Sequence, residues 1–104
     1  MFKTDLITRI EKCGAMAIVR TETIERGLEI AQGCLDGGVD VLEISYTLNN
    51  AGEVIEAIHQ KFNHQIVVGA GTVLDAETAR LAILKGAKFI IAPNFNKEVA
   101  KLCN

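Results

Sequence analysis

The sequence has little that would place the protein in a membrane or on nucleic acid. No apolar run approaches the roughly 18 residues that a membrane span requires, and residues 1–5 lack the apolar core of a signal peptide. The net charge is only -2, and the lysines and arginines are scattered, so no basic face is available for a phosphate backbone. We therefore expect a cytoplasmic protein that binds neither membranes nor nucleic acid.

Paired cysteines and proline-rich segments are missing as well. Cys13, Cys34 and Cys103 are isolated and show no CxxC spacing, which argues against a zinc site or a redox pair and favours free thiols. The single proline, Pro93, falls just after a predicted strand, and no stretch has the composition of a linker. With 104 residues, of which 49% are apolar and 23% charged, the chain is expected to be one globular domain, residues 1–104.

What the sequence does contain is an alternation of strand-like and helix-like segments. Short apolar runs rich in β-branched residues predict four strands, at residues 15–19, 39–44, 65–68 and 88–92. Apolar stripes between them, such as Ile24 to Leu35 and Ala51 to Phe62, have helical spacing. This order predicts an α/β fold with a parallel sheet and right-handed crossovers, and such sheets are covered on both faces or closed into barrels.

Capping residues and glycines indicate where the helices begin and end. Three pairs combine a capping side chain with an acidic first turn: Thr21 with Glu22, Asn50 with Glu53, and Asp75 with Glu77. Three glycines stand where helices should stop: Gly14, Gly37 and Gly86. A leading stripe that includes Leu6 and Ile10 predicts a further helix before the first strand, which would cover an open end of the sheet or barrel.

Glu43 lies at the carboxyl end of the second predicted strand. In parallel βα folds, catalytic and ligand-binding residues lie at this end of the strands. Period-2 alternation places it opposite Leu42 and Ile44, which face the helices, so Glu43 should point into the barrel centre. Apolar neighbours there disfavour the charged carboxylate, a setting that suits general acid and base catalysis. The alternative is an internal ion pair with Arg20, at the end of the adjacent strand.

Arg20 shares the parity of Met16 and Ile18, which would aim it inward, where it could hold a carboxylate or phosphate bidentately. An ordinary exposed loop arginine is an equally good interpretation. Residues 69–72, Gly-Ala-Gly-Thr, do not form a dinucleotide-binding turn, because Leu74 stands where its third glycine is needed. The glycines instead let backbone N–H groups approach a ligand oxygen beside the Thr72 hydroxyl.

Four motifs at their separations in this chain resemble the KDPG/KHG aldolases, the 2-keto-3-deoxy-6-phosphogluconate and 4-hydroxy-2-oxoglutarate aldolases. They are Gly-Gly-Val at 37–39, Leu-Glu-Ile at 42–44, Gly-Ala-Gly-Thr-Val at 69–73 and Gly-Ala-Lys-Phe-Ile at 86–90. The resemblance runs in one register from Ala17 through the turn after Ala92. It implies a TIM (βα)8-barrel fold, of which this chain holds an N-terminal helix and four βα units, a half barrel.

The resemblance also implies an activity and a site. Members are class I aldolases, usually homotrimers and independent of metal or other cofactor. They cleave 2-keto-3-deoxy-6-phosphogluconate to pyruvate and glyceraldehyde 3-phosphate, or 4-hydroxy-2-oxoglutarate to pyruvate and glyoxylate. Glu43 would be the catalytic residue that moves protons to and from the 2-keto acid substrate, and Thr72 would contact its pyruvate portion. Gly71 and Pro93 would complete the substrate-binding residues of these turns.

The sequence departs from the family at two points. Some members carry an arginine four residues after the glutamate, to hold the substrate carboxylate, whereas Thr47 stands there. Thr47 is expected to be a substrate-binding residue at this position, and Arg20 is the candidate for the role of the missing arginine. The Schiff-base lysine of the family lies on a sixth strand, which is absent, and it must be buried on an inward strand position. Lys88 begins a strand on the wrong face and Lys85 ends a helix, so neither replaces it.

Because the chain has part of the family's site residues but not the Schiff-base lysine, we consider three hypotheses. The first is that the chain is the amino-terminal half of such an aldolase and is inactive alone. The second is a non-catalytic half-barrel module that assembles with itself or with a complementary half. The third is another phosphosugar barrel enzyme, an epimerase or a synthase, because turns and glutamates of this kind recur on the scaffold.

Overall fold

A parallel sheet with helices on one side is the framework of the computed structural model. The residues that it describes are 6, 8–10, 12, 14–46, 50–92 and 101–103. The strands are β1 (Ala17–Val19), β2 (Val41–Ser45) and β3 (Val67–Gly71), and they lie in the order β1-β2-β3. All pairings are parallel, which confirms the predicted βα order for these three units.

The predicted fourth strand is present as a short pairing of the chain with β3. Ala70 and Ile90 form a single parallel bridge. The Ile91 N–H donates to the Ala70 carbonyl at 2.8 Å, and the Ala70 N–H donates to the Phe89 carbonyl at 3.0 Å. The segment around Ile90 therefore extends the sheet beyond β3, although it is shorter than predicted among the described residues.

Three helices connect and cover the strands: α1 (Ile24–Asp36), α2 (Ala51–Phe62) and α3 (Ala76–Lys85). Their apolar stripes pack on one face of the sheet and form the core with the strand residues that alternate toward them. The largest fully buried side chains of this core include Leu42, Ile44, Val54, Ile55, Ile58 and Val68. No helix in the described ranges has both the length and the apolar content needed to cross a bilayer.

The opposite face of the sheet is the inner face. It carries the strand residues that alternate with those facing the helices. Its central positions are the register pairs Val41–Val67, Glu43–Gly69 and Ser45–Gly71. Val41 and Val67 are buried but lie outside the core cluster between sheet and helices, which separates the two faces. Toward the sheet edges the inner face is open, because Ile18 is 64% exposed and Ile91 39%.

The leading segment lies at the amino-terminal end of the sheet, away from Glu43. Leu6, residues 8–10 and Lys12 are helical. From this segment, Arg9 Nη2 donates to the Asp40 carboxylate at 3.2 Å and to the Gln65 carbonyl at 2.7 Å. Since these two residues precede β2 and β3, Arg9 joins this segment to the amino-terminal end of the sheet.

Helix starts agree with the sequence only in part. The N-cap of α1 is Thr23, whose hydroxyl accepts the Arg26 N–H at 3.1 Å. The assignment of this cap to Thr21 was wrong, because the Thr21 hydroxyl instead donates to the Thr23 carbonyl at 3.1 Å. Asn50 precedes α2 but makes no side-chain cap. Its Nδ2 donates to the Glu22 carbonyl at 2.7 Å, and its buried Oδ1 has no hydrogen-bond partner among the described residues.

Both predicted ends of α3 are confirmed. Asp75 Oδ1 accepts the Thr78 N–H at 2.7 Å, and Gly86 ends the helix with a φ of +116°, where a Cβ would overlap His59. The hydrogen bond from the Thr78 backbone N–H, followed by one from its side chain, lowers the pKa of the Asp75 carboxyl.

Asp75→Ala should destabilise the protein most at neutral pH. Because the folded-state pKa of Asp75 lies below its unfolded value, the cap contributes fully above about pH 4 and is lost as pH falls through the folded value. Unfolding in urea at several pH values should therefore show a deficit of Asp75→Ala that shrinks below about pH 4. Thr23→Ala is the matched control, with a deficit of about 1 kcal/mol that is independent of pH. A pH-independent deficit at Asp75 would contradict this account.

Candidate active site

Glu43 occupies the inner face near the carboxyl end of β2, as predicted. Every residue of β2 is buried, and Glu43 itself is only 7% exposed. Its register partners are Ile18 on β1 and Gly69 on β3, so it sits in the middle of a row that crosses the sheet. A carboxyl group is therefore held on a strand, with little access to bulk water.

The Glu43 side chain lies across the inner surface of Gly71, two residues further along β3 than its register partner. A Cβ built on Gly71 would overlap the Glu43 Oε2 and Cδ atoms and would lie 2.7 Å from its Cγ. Contacts this short do not occur between real side chains, so only glycine allows the carboxyl to occupy this place. Gly71 thus contributes space as well as backbone to the site.

A pair of hydroxyl groups lies at the strand ends, level with the Gly71 residue that the Glu43 carboxyl covers. Ser45 Oγ and Thr72 Oγ1 are 3.2 Å apart, and Ser45 is only 2% exposed. Thr72 has a φ of +55°, a left-handed conformation that costs a β-branched residue energy and is often found at functional sites. The Tyr46 N–H donates to the Gly71 carbonyl at 2.8 Å, which fixes the two strand ends together.

These groups give the site a defined chemical capacity. A buried carboxyl can accept and return a proton, and hydroxyls beside it can donate to the carboxylate or carbonyl oxygen of a small ligand. Among the described residues, no group of three or more His, Cys, Asp or Glu side chains is arranged to hold a metal ion.

Comparison with known proteins shows which family the chain belongs to. The family model described as "Aldolase: KDPG and KHG aldolase" matches residues 6–104. The chain belongs to the KDPG and KHG aldolase family. The 2-dehydro-3-deoxy-phosphogluconate aldolase of Treponema pallidum is 33% identical over 94 residues, which are 90% of this chain and 44% of that protein.

Solved structures of KDPG aldolases have the same fold over the shared part. The Zymomonas mobilis ZM4 enzyme, crystallised with 3-phosphoglycerate, matches with a TM-score of 0.74 at 32% identity, over 83% of this chain and 40% of that one. The Legionella pneumophila KDPG aldolase, with pyruvate captured as a covalent carbinolamine, matches with a TM-score of 0.76 at 26% identity, over 81% and 40%. The chain spans less than half the length of these relatives.

In this member of the KDPG and KHG aldolase family, Arg20 does not pair with Glu43. Arg20 is exposed, and no ion pair joins it to Glu43 in the part of the chain that the structure describes. It lines a surface depression beside the start of α1, together with Arg26 and Ile30 of that helix. The alternative of an internal Arg20–Glu43 ion pair is therefore not what the structure has.

The aldolase family resemblance predicted several substrate-binding residues. Two of them, Thr47 and Pro93, lie outside the described residues. The other two at the strand ends, Gly71 and Thr72, lie together with Glu43. No lysine in the described ranges is buried, and Lys85 is engaged with Glu56 at 3.5 Å. The described lysines therefore offer no amine on the inner face beside Glu43.

Sequence reasoning missed two residues near the site, Phe89 and Tyr46. The Phe89 ring lies on the inner face over Gly69, where a Cβ would overlap it. Tyr46 lies on the helix side, and its buried hydroxyl has no hydrogen-bond partner among the described residues. Burial, and then the negative charge of Glu53, raise the pKa of Tyr46, so its side chain is a neutral phenol at neutral pH. The motif at 86–90 contained Phe89, but parity alone could not show which neighbour it covers.

Proposed function

We propose that this chain is the amino-terminal half of a class I aldolase that cleaves 2-keto-3-deoxy-6-phosphogluconate, 4-hydroxy-2-oxoglutarate or both, with pyruvate as the common product. The longer protein of which it would be part is called the complete protein here. In this proposal the complete protein closes its sheet into a TIM barrel, works in the cytoplasm as a homotrimer and supplies the Schiff-base lysine from the missing half. The 104-residue chain alone is inactive.

Glu43 is the proton carrier in this proposal. Pyruvate aldol chemistry through a Schiff base requires a group that removes and returns protons beside the substrate. The observation that carries the proposal is the buried Glu43 carboxyl, seated over Gly71 and next to the Ser45–Thr72 hydroxyl pair. It is supported by the family match and by the covalent pyruvate species named for the Legionella relative.

The remaining roles follow from the same placement. The Thr72 hydroxyl binds the pyruvate portion of the substrate, and Gly71 contributes to this substrate site by leaving room for the Glu43 carboxyl. Arg20, which is exposed at the end of β1, has the charge to bind a substrate carboxylate or phosphate from the rim. Thr47 and Pro93 are proposed to contact substrate from the turns that follow β2 and the Ile90 segment.

Incubation with pyruvate and borohydride tests the proposal. The complete protein should gain the mass of one reduced pyruvate adduct on a lysine outside residues 1–104, whereas the 104-residue chain should keep its mass unchanged. Peptide mapping of the adduct identifies the lysine. An adduct on the 104-residue chain would show that the Schiff-base lysine lies within it and would overturn the assignment.

A non-catalytic half-barrel module is the second candidate, favoured by the open inner face, where Ile18 and Ile91 are exposed. An epimerase or a synthase on the same scaffold is the third. The borohydride experiment separates them, since the module predicts no adduct and no turnover for the complete protein. The third candidate predicts turnover of a phosphosugar without any adduct.

A further inference from the structure

We propose that Phe89 is a positioning residue for Glu43, because its ring fills the space over Gly69 and so directs the Glu43 side chain along the sheet to Gly71. The inference rests on the proposed role of Glu43 in proton transfer. The Glu43 carboxyl could lie over Gly69 or over Gly71, and this choice sets how far it reaches toward the strand ends.

The evidence is a row of four residues that crosses the inner face. Ile18, Glu43 and Gly69 are register partners on β1, β2 and β3. Phe89 continues the row, because it comes one residue before Ile90, which is bridged to Ala70. A Cβ on Gly69 would overlap the Cδ2, Cε2 and Cζ atoms of the Phe89 ring, so this ring lies directly over the glycine.

Two glycines of β3 therefore receive side chains from opposite neighbours. Gly69 is covered by Phe89 from the far side, and Gly71 is covered by the Glu43 carboxyl from β2. Without the ring, Gly69 would offer Glu43 an empty place level with its own Cα. An apolar ring in that place excludes a carboxyl group, since it can supply no hydrogen bond to replace those of water.

The choice between the two glycines matters for chemistry. Gly69 and Gly71 are two residues apart on a strand, which is about 7 Å. Over Gly71 the carboxyl lies level with Ser45 and next to Thr72, where the proposed substrate binds. Over Gly69 it would lie deeper in the sheet, away from those hydroxyls. Phe89 thus acts on the reaction through Glu43 and not by touching substrate.

NMR of the 104-residue chain tests the geometry without any activity. The wild-type chain should show a strong nuclear Overhauser effect between the Glu43 Hγ protons and the Gly71 Hα protons, because Glu43 Cγ lies 2.7 Å from the Cβ position of Gly71. In Phe89→Ala this effect should weaken and one to the Gly69 Hα protons should appear. Phe89→Leu, which keeps an apolar side chain over Gly69, should restore the wild-type pattern.

Ile18→Ala is the matched control, because Ile18 flanks Glu43 in the same row but on the open side. It should leave the Glu43–Gly71 effect unchanged. If Phe89→Ala does not fold, Phe89→Ser supplies the same comparison, because its short side chain also leaves Gly69 uncovered. An unchanged Glu43–Gly71 effect in a folded Phe89→Ala or Phe89→Ser chain would overturn the positioning role.

Kinetics of the complete protein separate this inference from the proposed function. Phe89→Ala should lower kcat by roughly 10- to 100-fold, because a misplaced catalytic group loses its productive geometry, and KM should change little. A shifted Overhauser pattern with kcat unchanged would overturn the proton-transfer role of Glu43 and leave its positioning by Phe89 intact. A fall in kcat with an unshifted pattern would overturn the positioning role alone.

Discussion

Glu43→Gln should lower kcat of the complete protein by about 10²- to 10⁴-fold, the usual contribution of a general acid or base. The amide keeps the size of the side chain and its place over Gly71, but it cannot accept and return a proton. Formation of the Schiff base depends on a separate lysine in this proposal, so borohydride trapping of pyruvate should persist. Steady-state aldol cleavage and the trapping experiment together measure the two steps.

Glu77→Gln is the control for the loss of one carboxylate. Glu77 is exposed in the first turn of α3, outside the inner face that carries Glu43. Its replacement should leave kcat close to the wild-type value, because it removes charge without removing a group from the proposed site. A Glu43→Gln enzyme with wild-type kcat would contradict the proton-transfer role, whatever its stability.

Gly71→Ala should be costly for stability and activity together. An alanine Cβ would occupy the space of the Glu43 carboxyl, so either the side chain or β3 has to move. Overpacking costs about 1–3 kcal/mol of unfolding free energy, and the cost here should lie near the lower limit, because the overlapping atoms are the end of the flexible Glu43 side chain, which can turn away. The displaced carboxyl should lower kcat about as far as Phe89→Ala does, roughly 10- to 100-fold. Urea unfolding of the 104-residue chain and kinetics of the complete protein measure the two effects.

A double-mutant cycle identifies Glu43 as the cause. In a Glu43→Ala background the obstructing carboxyl is gone, so Gly71→Ala should cost much less than in the wild type. Gly33→Ala is the matched glycine control, since a Cβ there meets nothing within 4 Å and the position lies inside α1. It should stabilise the chain by about 0.5–1 kcal/mol. If the unfolding free energies lost in Gly71→Ala and Glu43→Ala are additive, the two residues are not coupled, and the alanine Cβ does not displace the Glu43 side chain.

The elements that the sequence predicted well are those with a strong local pattern. The alternation of Leu42 and Ile44 with Glu43 assigned the two faces of β2, because a strand repeats every two residues. The stripes of α1 and α2 predicted helices close to their observed bounds. The segment around Ile90 was harder, because its extent depends on pairing with a neighbouring strand and not on its own residues.

The site was predicted less completely than the strands. Parity fixes only the direction of the Cα–Cβ bond, so it could not show that the long Arg20 side chain would lie exposed beside α1. Gly69 and Gly71 were interpreted as openings for a ligand. The structure shows that Phe89 and Glu43 lie over them, a non-local contact that no spacing in the sequence encodes.

The order of the strands also bears on how the protein is made. Because β1, β2, β3 and the Ile90 segment pair in the order of the chain, each unit docks on the one synthesised just before it. Parallel pairing across a helical crossover is non-local and intrinsically slow, so this part of the sheet is expected to form after the helices between its strands. During that interval the exposed Ile18 and the edge of β1 that has no strand partner among the described residues are the surfaces that a chaperone would have to protect from aggregation.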